Sequence, residues 1–232
     1  MIRFWKVLNT IYDDLLIVVL LTILLVVIYS AYDTGYIFKQ AADDTYTRFR
    51  PDRVSASGIE GSPITDDMVG WIVIDDTSID YPIMQGEDNL KYLNTDPAGE
   101  YSLSGSIFLD SRNSPDFSDP YSVIYGHHMQ YGKMFGALDD FLDEGYLLSH
   151  SEGRLMVGRN AEKVYKIKVI LALRTDAKEE MILDTADNSS VRNILSEKGY
   201  NEDNRVLGMV TCTDADSTER LVLFAYILDK ET

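Results

Sequence analysis

Cysteine is almost missing from this chain. Among 232 residues there is one, Cys212, and histidine is nearly as rare, at His127, His128 and His150. A single thiol excludes an internal disulfide and any multi-thiolate metal site, and three imidazoles leave little for a His-rich one. No acidic loop has calcium-ligand spacing, so no metal or other cofactor is expected. Positive charge is also scarce. Against 38 Asp and Glu stand 21 Lys and Arg, a formal net charge of -17. Nucleic-acid binding needs clustered cations, so no nucleic-acid partner is expected; the balance describes an acidic, self-repelling surface. Internal repeats and low-complexity tracts are absent. The length suffices for one domain of ordinary size with appendages.

What is present begins with an apolar run. Residues 15–32 carry no charge. At about 1.5 Å per residue they nearly cross a bilayer core of about 30 Å, which predicts a transmembrane anchor. Arg3 and Lys6 precede the run, so the positive-inside rule assigns residues 1–14 to the cytoplasm and the domain beyond the helix to the outside. A cleaved signal peptide is the competing reading, but the run exceeds the usual apolar core of about 7–15 residues and no small-x-small site follows. Residues 33–65 turn polar, with an amphipathic helix expected in the first half and a connector in the second. The globular domain is expected over 66–232.

Within it, Met68–Ile74 and Ile79–Met84 form an expected hairpin, with Pro82 pointing to an edge or bulge. A short helix is expected over Asp88–Asn94 and strands over Ser106–Asp110 and Tyr121–Tyr125. A helical pattern at Met134–Leu142 leads to strands at Arg154–Val157 and Val164–Leu173, the latter broken at Arg174. Asn188–Lys198 reads as a helix stopped by Gly199. Arg205–Thr211 and Arg220–Ile227 are apolar, β-branched runs around a polar stretch, hence strand, loop, antiparallel strand. Eight short strands with helices in the connections predict a mainly β fold, a closed or nearly closed β-barrel.

That last pairing brings Arg220 back beside Cys212. Either the lone thiol fills a gap in the core, or it sits in an electropositive setting that favours thiolate and can bind an oxyanion. A thiolate needs an acid and base. Tyr125-Gly126-His127-His128 stands at the expected end of a strand, where Gly126 is expected to let the backbone turn and display His127 at the barrel rim. Cys with His is the general arrangement for nucleophilic acyl transfer. The paired carboxylates Asp75 and Asp76, Asp139 and Asp140, and Asp214 and Asp216 are what chance gives an acidic chain; Asp214, two residues past Cys212, either orients His127 or caps the loop.

At this point the sequence resembles the sortases, membrane-anchored cysteine transpeptidases of Gram-positive bacteria. An amino-terminal anchor, Gly126-His127, Thr211-Cys212 and Arg220 occur in that family's order. Residues 70–75, 79–86, 88–93, 105–113 and 125–127 look specifically like class B, and the resemblance covers about residues 66–228. It implies an eight-stranded sortase-like barrel with peripheral helices. It further implies His127 as acid/base, Cys212 as nucleophile, Arg220 as the group that steadies the oxyanion or holds the substrate backbone, and Asn89, Leu93, Tyr125 and Thr211 as substrate-binding positions. The implied substrates are secreted surface or pilin proteins with a carboxy-terminal sorting signal of Asn-Pro-x-Thr type, cleaved after Thr. The acceptor is a cell-wall amine on lipid II or, in some class B relatives, a pilin lysine. Two departures stand out. Gly208-Met209-Val210-Thr211-Cys212 replaces the usual Thr-Leu-x-Thr-Cys, with Val210 where Ser is often found, and the loop from Cys212 to Arg220 is short for the class. A plain cysteine hydrolase and a catalytically silent cell-wall binding module are the alternatives.

Overall fold

The computed structural model describes residues 2–41, 46–53, 61–176, 180–201, 203–212 and 219–228, with residues 2, 36–41, 180, 181 and 212 described by their backbone alone. Two compact units result, Met1–Gln40 and Ala41–Thr232.

The first unit is helix α1, Ile2–Ala41. It extends beyond the uncharged run at both ends, and Arg3–Gly35 is long and apolar enough to cross a membrane. Thr10 and Thr22, polar side chains on this helix, donate their hydroxyls to the carbonyls of Lys6 and Val18. Such local pairing satisfies each hydroxyl within the helix itself.

The second unit is a closed barrel of eight strands. β1 (Met68–Ile74), β2 (Asp80–Met84), β3 (Ile107–Leu109), β4 (Tyr121–Met129), β6 (Glu152–Val157), β7 (Lys163–Asp176), β8 (Arg205–Cys212) and β9 (Glu219–Leu228) follow the spatial order β3-β2-β1-β6-β7-β9-β8-β4. A β3–β4 pairing shuts the ring, and β5 (Lys133–Met134) is a short ribbon on β4. Closure leaves no long unpaired edge. Two contacts in the ring are parallel, β2–β3 and β4–β8.

Alternation along the strands separates two apolar layers. Ile124, Leu207, Met209, Leu221 and Leu223 point into the barrel, where Phe135, Leu138 and Phe141 of a 3-10 helix (Phe135–Leu142) meet them. Val123, Tyr125, Val210, Val222 and Phe224 point outward under Ile182, Val191 and Leu195, the last two from a helix over Ser189–Glu197. That helix is α3; α2 is the short Glu144–Ser149. In the chain before β1, Arg50 is buried between Asp52 and Asp80, and Asp80 also accepts a 2.7 Å hydrogen bond from the indole of Trp71.

Several local expectations change. The short helix near 88–94 is a 3-10 turn, Lys91–Leu93. β7 is unbroken at Arg174 and runs to Asp176, because β9 pairs with it through Glu219; its irregularity lies between Val169 and Leu171. β4 does not end at Tyr125. It continues through Gly126 and His127 to Met129, since β8 pairs alongside as far as Cys212.

Candidate active site

The parallel β4–β8 seam sets the site. Its register pairs Tyr125 with Val210, Gly126 with Thr211 and His127 with Cys212. On the other side of β8, antiparallel β9 pairs Val222 with Val210. Continuing that register brings positions 212 and 220 opposite one another, and the Leu221 N–H, donated at 2.9 Å to Thr211 Oγ1, holds the strands together in between. One strand further, Arg220 pairs with Thr175 of β7. His127, Cys212, Arg220 and Thr175 thus form one row across four strands, although they lie far apart along the chain.

Gly126 is required by space, not by a turn. A Cβ there would meet Ile107 Cδ1 and would lie 2.8 Å from Phe135 Cδ2, both inside the barrel. Only a bare α-carbon lets β4 lie against this packed interior and still present the next residue, His127, in the row. His127 is half-buried. Arg220 belongs to the outward set with Val222 and Phe224, and its Nε is buried without a hydrogen-bond partner among the described residues. Such a donor is available to a ligand oxygen. His128 alternates away from the row, with Nε2 2.7 Å from Asp139 Oδ2. Arg174 donates to the other oxygen of Asp139 at 3.2 Å and lies within 4.0 Å of Glu219.

The substrate-binding positions named from sequence distribute unevenly around this row. Tyr125, two residues before His127 on the same face, is buried and donates its hydroxyl to Asp110 Oδ2 at 2.9 Å. Asn89 donates to the same oxygen at 3.0 Å and accepts from the Ser111 N–H at 2.8 Å. Leu93 is half-buried against the outward layer. Thr211 is buried, with its hydroxyl on the Leu221 backbone, so it fixes the end of β8 against β9. Asp214 lies outside the described residues. His150 is remote from the row, closing α2 and stacked on Tyr146.

Of the two departures, the β8 motif acquires reasons at Gly208 and Val210, while the loop beyond Cys212, residues 213–218, lies outside the described residues. A Cβ at Gly208 would sit 2.6 Å from the hydroxyl of Tyr121, which crosses β8 there to donate to the Ile182 carbonyl at 2.8 Å. Val210, fully buried between Tyr125 and Val222, makes an apolar floor one step below the row.

One feature was not singled out from sequence. Asp110 follows β3 and is fully buried, and its carboxylate accepts five hydrogen bonds. Arg112 supplies three of them, from its N–H, Nε and a terminal nitrogen, each at 2.9 Å, and Asn89 and Tyr125 supply the others. Burial pushes the Asp110 carboxyl up, but the hydrogen bonds from Arg112 and Tyr125 outweigh it and hold the group below the usual carboxylate range. Burial, then the charge of Asp110, pushes the Tyr125 phenol up and keeps it protonated as a donor. A charged side chain closing an apolar strand, with an arginine two residues later, was the available signal.

Comparison with known proteins follows the same lines. The family model for the sortase domain matches residues 72–228. Sortase B of Staphylococcus aureus (strain NCTC 8325 / PS 47) is 32% identical over 180 residues, 71% of this chain and 72% of that protein. Among solved structures, Spy0129, a Streptococcus pyogenes class B sortase involved in pilus biogenesis, matches with a TM-score of 0.64 and 33% identity over 75% of this chain and 98% of that one. The Staphylococcus aureus sortase B–substrate complex matches with a TM-score of 0.65 and 26% identity, covering 87% and 99%.

Proposed function

The chain belongs to the sortase family of cysteine transpeptidases, in class B, and from that premise we propose that Cys212, His127 and Arg220 carry out a two-step acyl transfer. The Cys212 thiolate attacks the carbonyl carbon of a threonine in the sorting signal of a secreted protein. Arg220 donates to the oxyanion that forms. As the C–N bond breaks, the His127 imidazolium gives its proton to the departing amine, leaving a thioester. An incoming amine then attacks the thioester, His127 takes up its proton, and the thiolate leaves as the new amide forms. Asn89, Leu93 and Tyr125 line the approach for the residues before the threonine, and Thr211 keeps the nucleophile's strand in register.

The observation that carries this reading is the row in which His127 pairs with Cys212 while the buried Nε of Arg220, without a partner among the described residues, stands on the next strand. The acceptor is a cell-wall amine on lipid II. Similarity to a class B sortase involved in pilus biogenesis favours a second reading, with a pilin lysine as acceptor. In either case α1 is a single-pass anchor with its amino end in the cytoplasm, holding the barrel outside at the membrane face, where lipid-linked acceptors reside.

The test incubates the full chain in detergent with a panel of sorting peptides, including the Asn-Pro-x-Thr type, with and without a cross-bridge peptide amine or a lysine side chain. Mass spectrometry should show cleavage after Thr and an amide adduct with one amine, both absent in Cys212→Ala. Free acid with every amine would replace transfer by hydrolysis. Silence toward all peptides from a folded protein would end the reading.

A further inference from the structure

The Asp110 network reaches beyond the strands. The terminal nitrogen of Arg112 that holds Asp110 Oδ2 also donates to the Leu183 carbonyl at 2.8 Å. Its neighbour along the chain, the Ile182 carbonyl, accepts from Tyr121 at 2.8 Å. Ile182 and Leu183 belong to the 3-10 turn Glu180–Leu183, and both pack on the outward layer that includes Tyr125 and Val210. This turn therefore covers the face on which the row lies, and two side chains tie its backbone to the barrel. One tie runs to Tyr121, and the other runs through Arg112 to the carboxylate that also fixes Tyr125 and Asn89.

We propose that Asp110 and Arg112 are positioning residues which set the distance between the 180–183 turn and Tyr125 and Asn89 beside the row, and so govern affinity for the residues preceding the scissile threonine. The proposal rests on the acyl-transfer reading above, but the tie itself does not. Asp110 is a poor place for such a carboxylate unless its position matters, because a fully buried charge needs every partner it has. Arg112 is suited to the task because its planar fork can hold a carboxylate with two nitrogens while a remaining N–H reaches a carbonyl. A lysine has the charge without the fork. Neither residue touches the row, so loss of the tie should change how tightly a peptide is held while leaving the chemical step intact. Interactions made equally in ground and transition states appear in KM, not kcat.

The experiment compares the full chain in detergent with Arg112→Ala, Arg112→Lys and Tyr121→Phe, using amide hydrogen exchange without substrate and then peptide ligation. Arg112 is half exposed, so its replacement opens no cavity in the core, but Arg112→Ala takes two of the five donors from the buried Asp110 carboxylate, and its folding is checked by urea unfolding first; Asp110→Asn is a secondary variant, since an amide facing so many donors can prevent folding. Expected for Arg112→Ala are exchange about tenfold faster at the amides around 182–184, KM raised about tenfold, and kcat within about twofold. Alkylation of Cys212 by iodoacetamide should keep its rate and pH profile. Arg112→Lys should fail to restore KM, and Tyr121→Phe should quicken the same amides. Unchanged exchange in Arg112→Ala would overturn the tie, and a fall in kcat at constant KM, or full rescue by Lys, would overturn its assigned role. A wild-type chain silent toward every peptide would overturn the acyl-transfer reading and with it the link to affinity, while exchange would still decide whether Arg112 holds the turn.

Discussion

Replacing Gly126 with alanine should damage catalysis through the interior of the barrel. The new Cβ would meet Ile107 Cδ1 and stand 2.8 Å from Phe135 Cδ2, about 0.6 Å short of an ordinary 3.4 Å contact. Ile107 and Phe135 are buried almost completely and cannot swing into solvent. Either the plug of the barrel or β4 must shift, and β4 carries His127 as its next residue. Overpacking of this kind costs about 1–3 kcal/mol. A displacement approaching 1 Å costs up to about a hundredfold in rate, so half that distance should lower kcat/KM on the order of tenfold. Urea unfolding measures the first effect and peptide ligation the second. Because Ile107→Val removes the offending Cδ1, the double variant should recover part of both losses, and a double-mutant cycle gives the coupling. A single Gly126→Ala protein with wild-type stability and turnover would refute the argument that space fixes this position.

Three further outcomes follow from the same geometry. Arg220→Ala should lower kcat by about a hundredfold or more with the thermal transition little changed, since it removes an oxyanion donor; kcat within about threefold of wild type would exclude that role. Thr211→Val should cost about 1–3 kcal/mol in urea unfolding by orphaning the Leu221 N–H, and Thr211→Ser should restore most of it. Asp110 adds a pH dependence. Its folded pKa lies below the unfolded value of about 3.9, so in that window the unfolded chain binds more protons. Its contribution is therefore present above about pH 4 and lost as pH falls through the folded pKa. Unfolding midpoints between pH 5 and 2 should show a steeper acid limb in wild type than in a folded Asp110→Asn.

The antiparallel arm of the site was legible because Arg205–Thr211 and Arg220–Ile227 carry their signal locally, as β-branched runs around a polar stretch. The parallel β4–β8 contact was not, since nothing near Tyr121–Met129 says which distant strand will lie beside it; family resemblance, not periodicity, related His127 to Cys212. Gly126 was recognised as necessary for a different reason, because its constraint is a phenylalanine and an isoleucine contributed by other elements. The expected break at Arg174 rested on a charge interrupting an apolar run. In the structure that guanidinium reaches Asp139 at the barrel mouth, so the strand continues beneath it. Asp110 escaped notice because burial of a carboxylate is a tertiary fact, visible only once Asn89, Arg112 and Tyr125 converge on it.

The ring closes late. β8 slots between β4 and β9, so the last two strands complete both the cylinder and the row. A nascent polypeptide made amino end first can complete every earlier pairing while position 127 has no β8 partner beside it. Chemical competence, on the acyl-transfer reading, then arrives only with the final hairpin, so a chain lacking its last two strands has no row to work with.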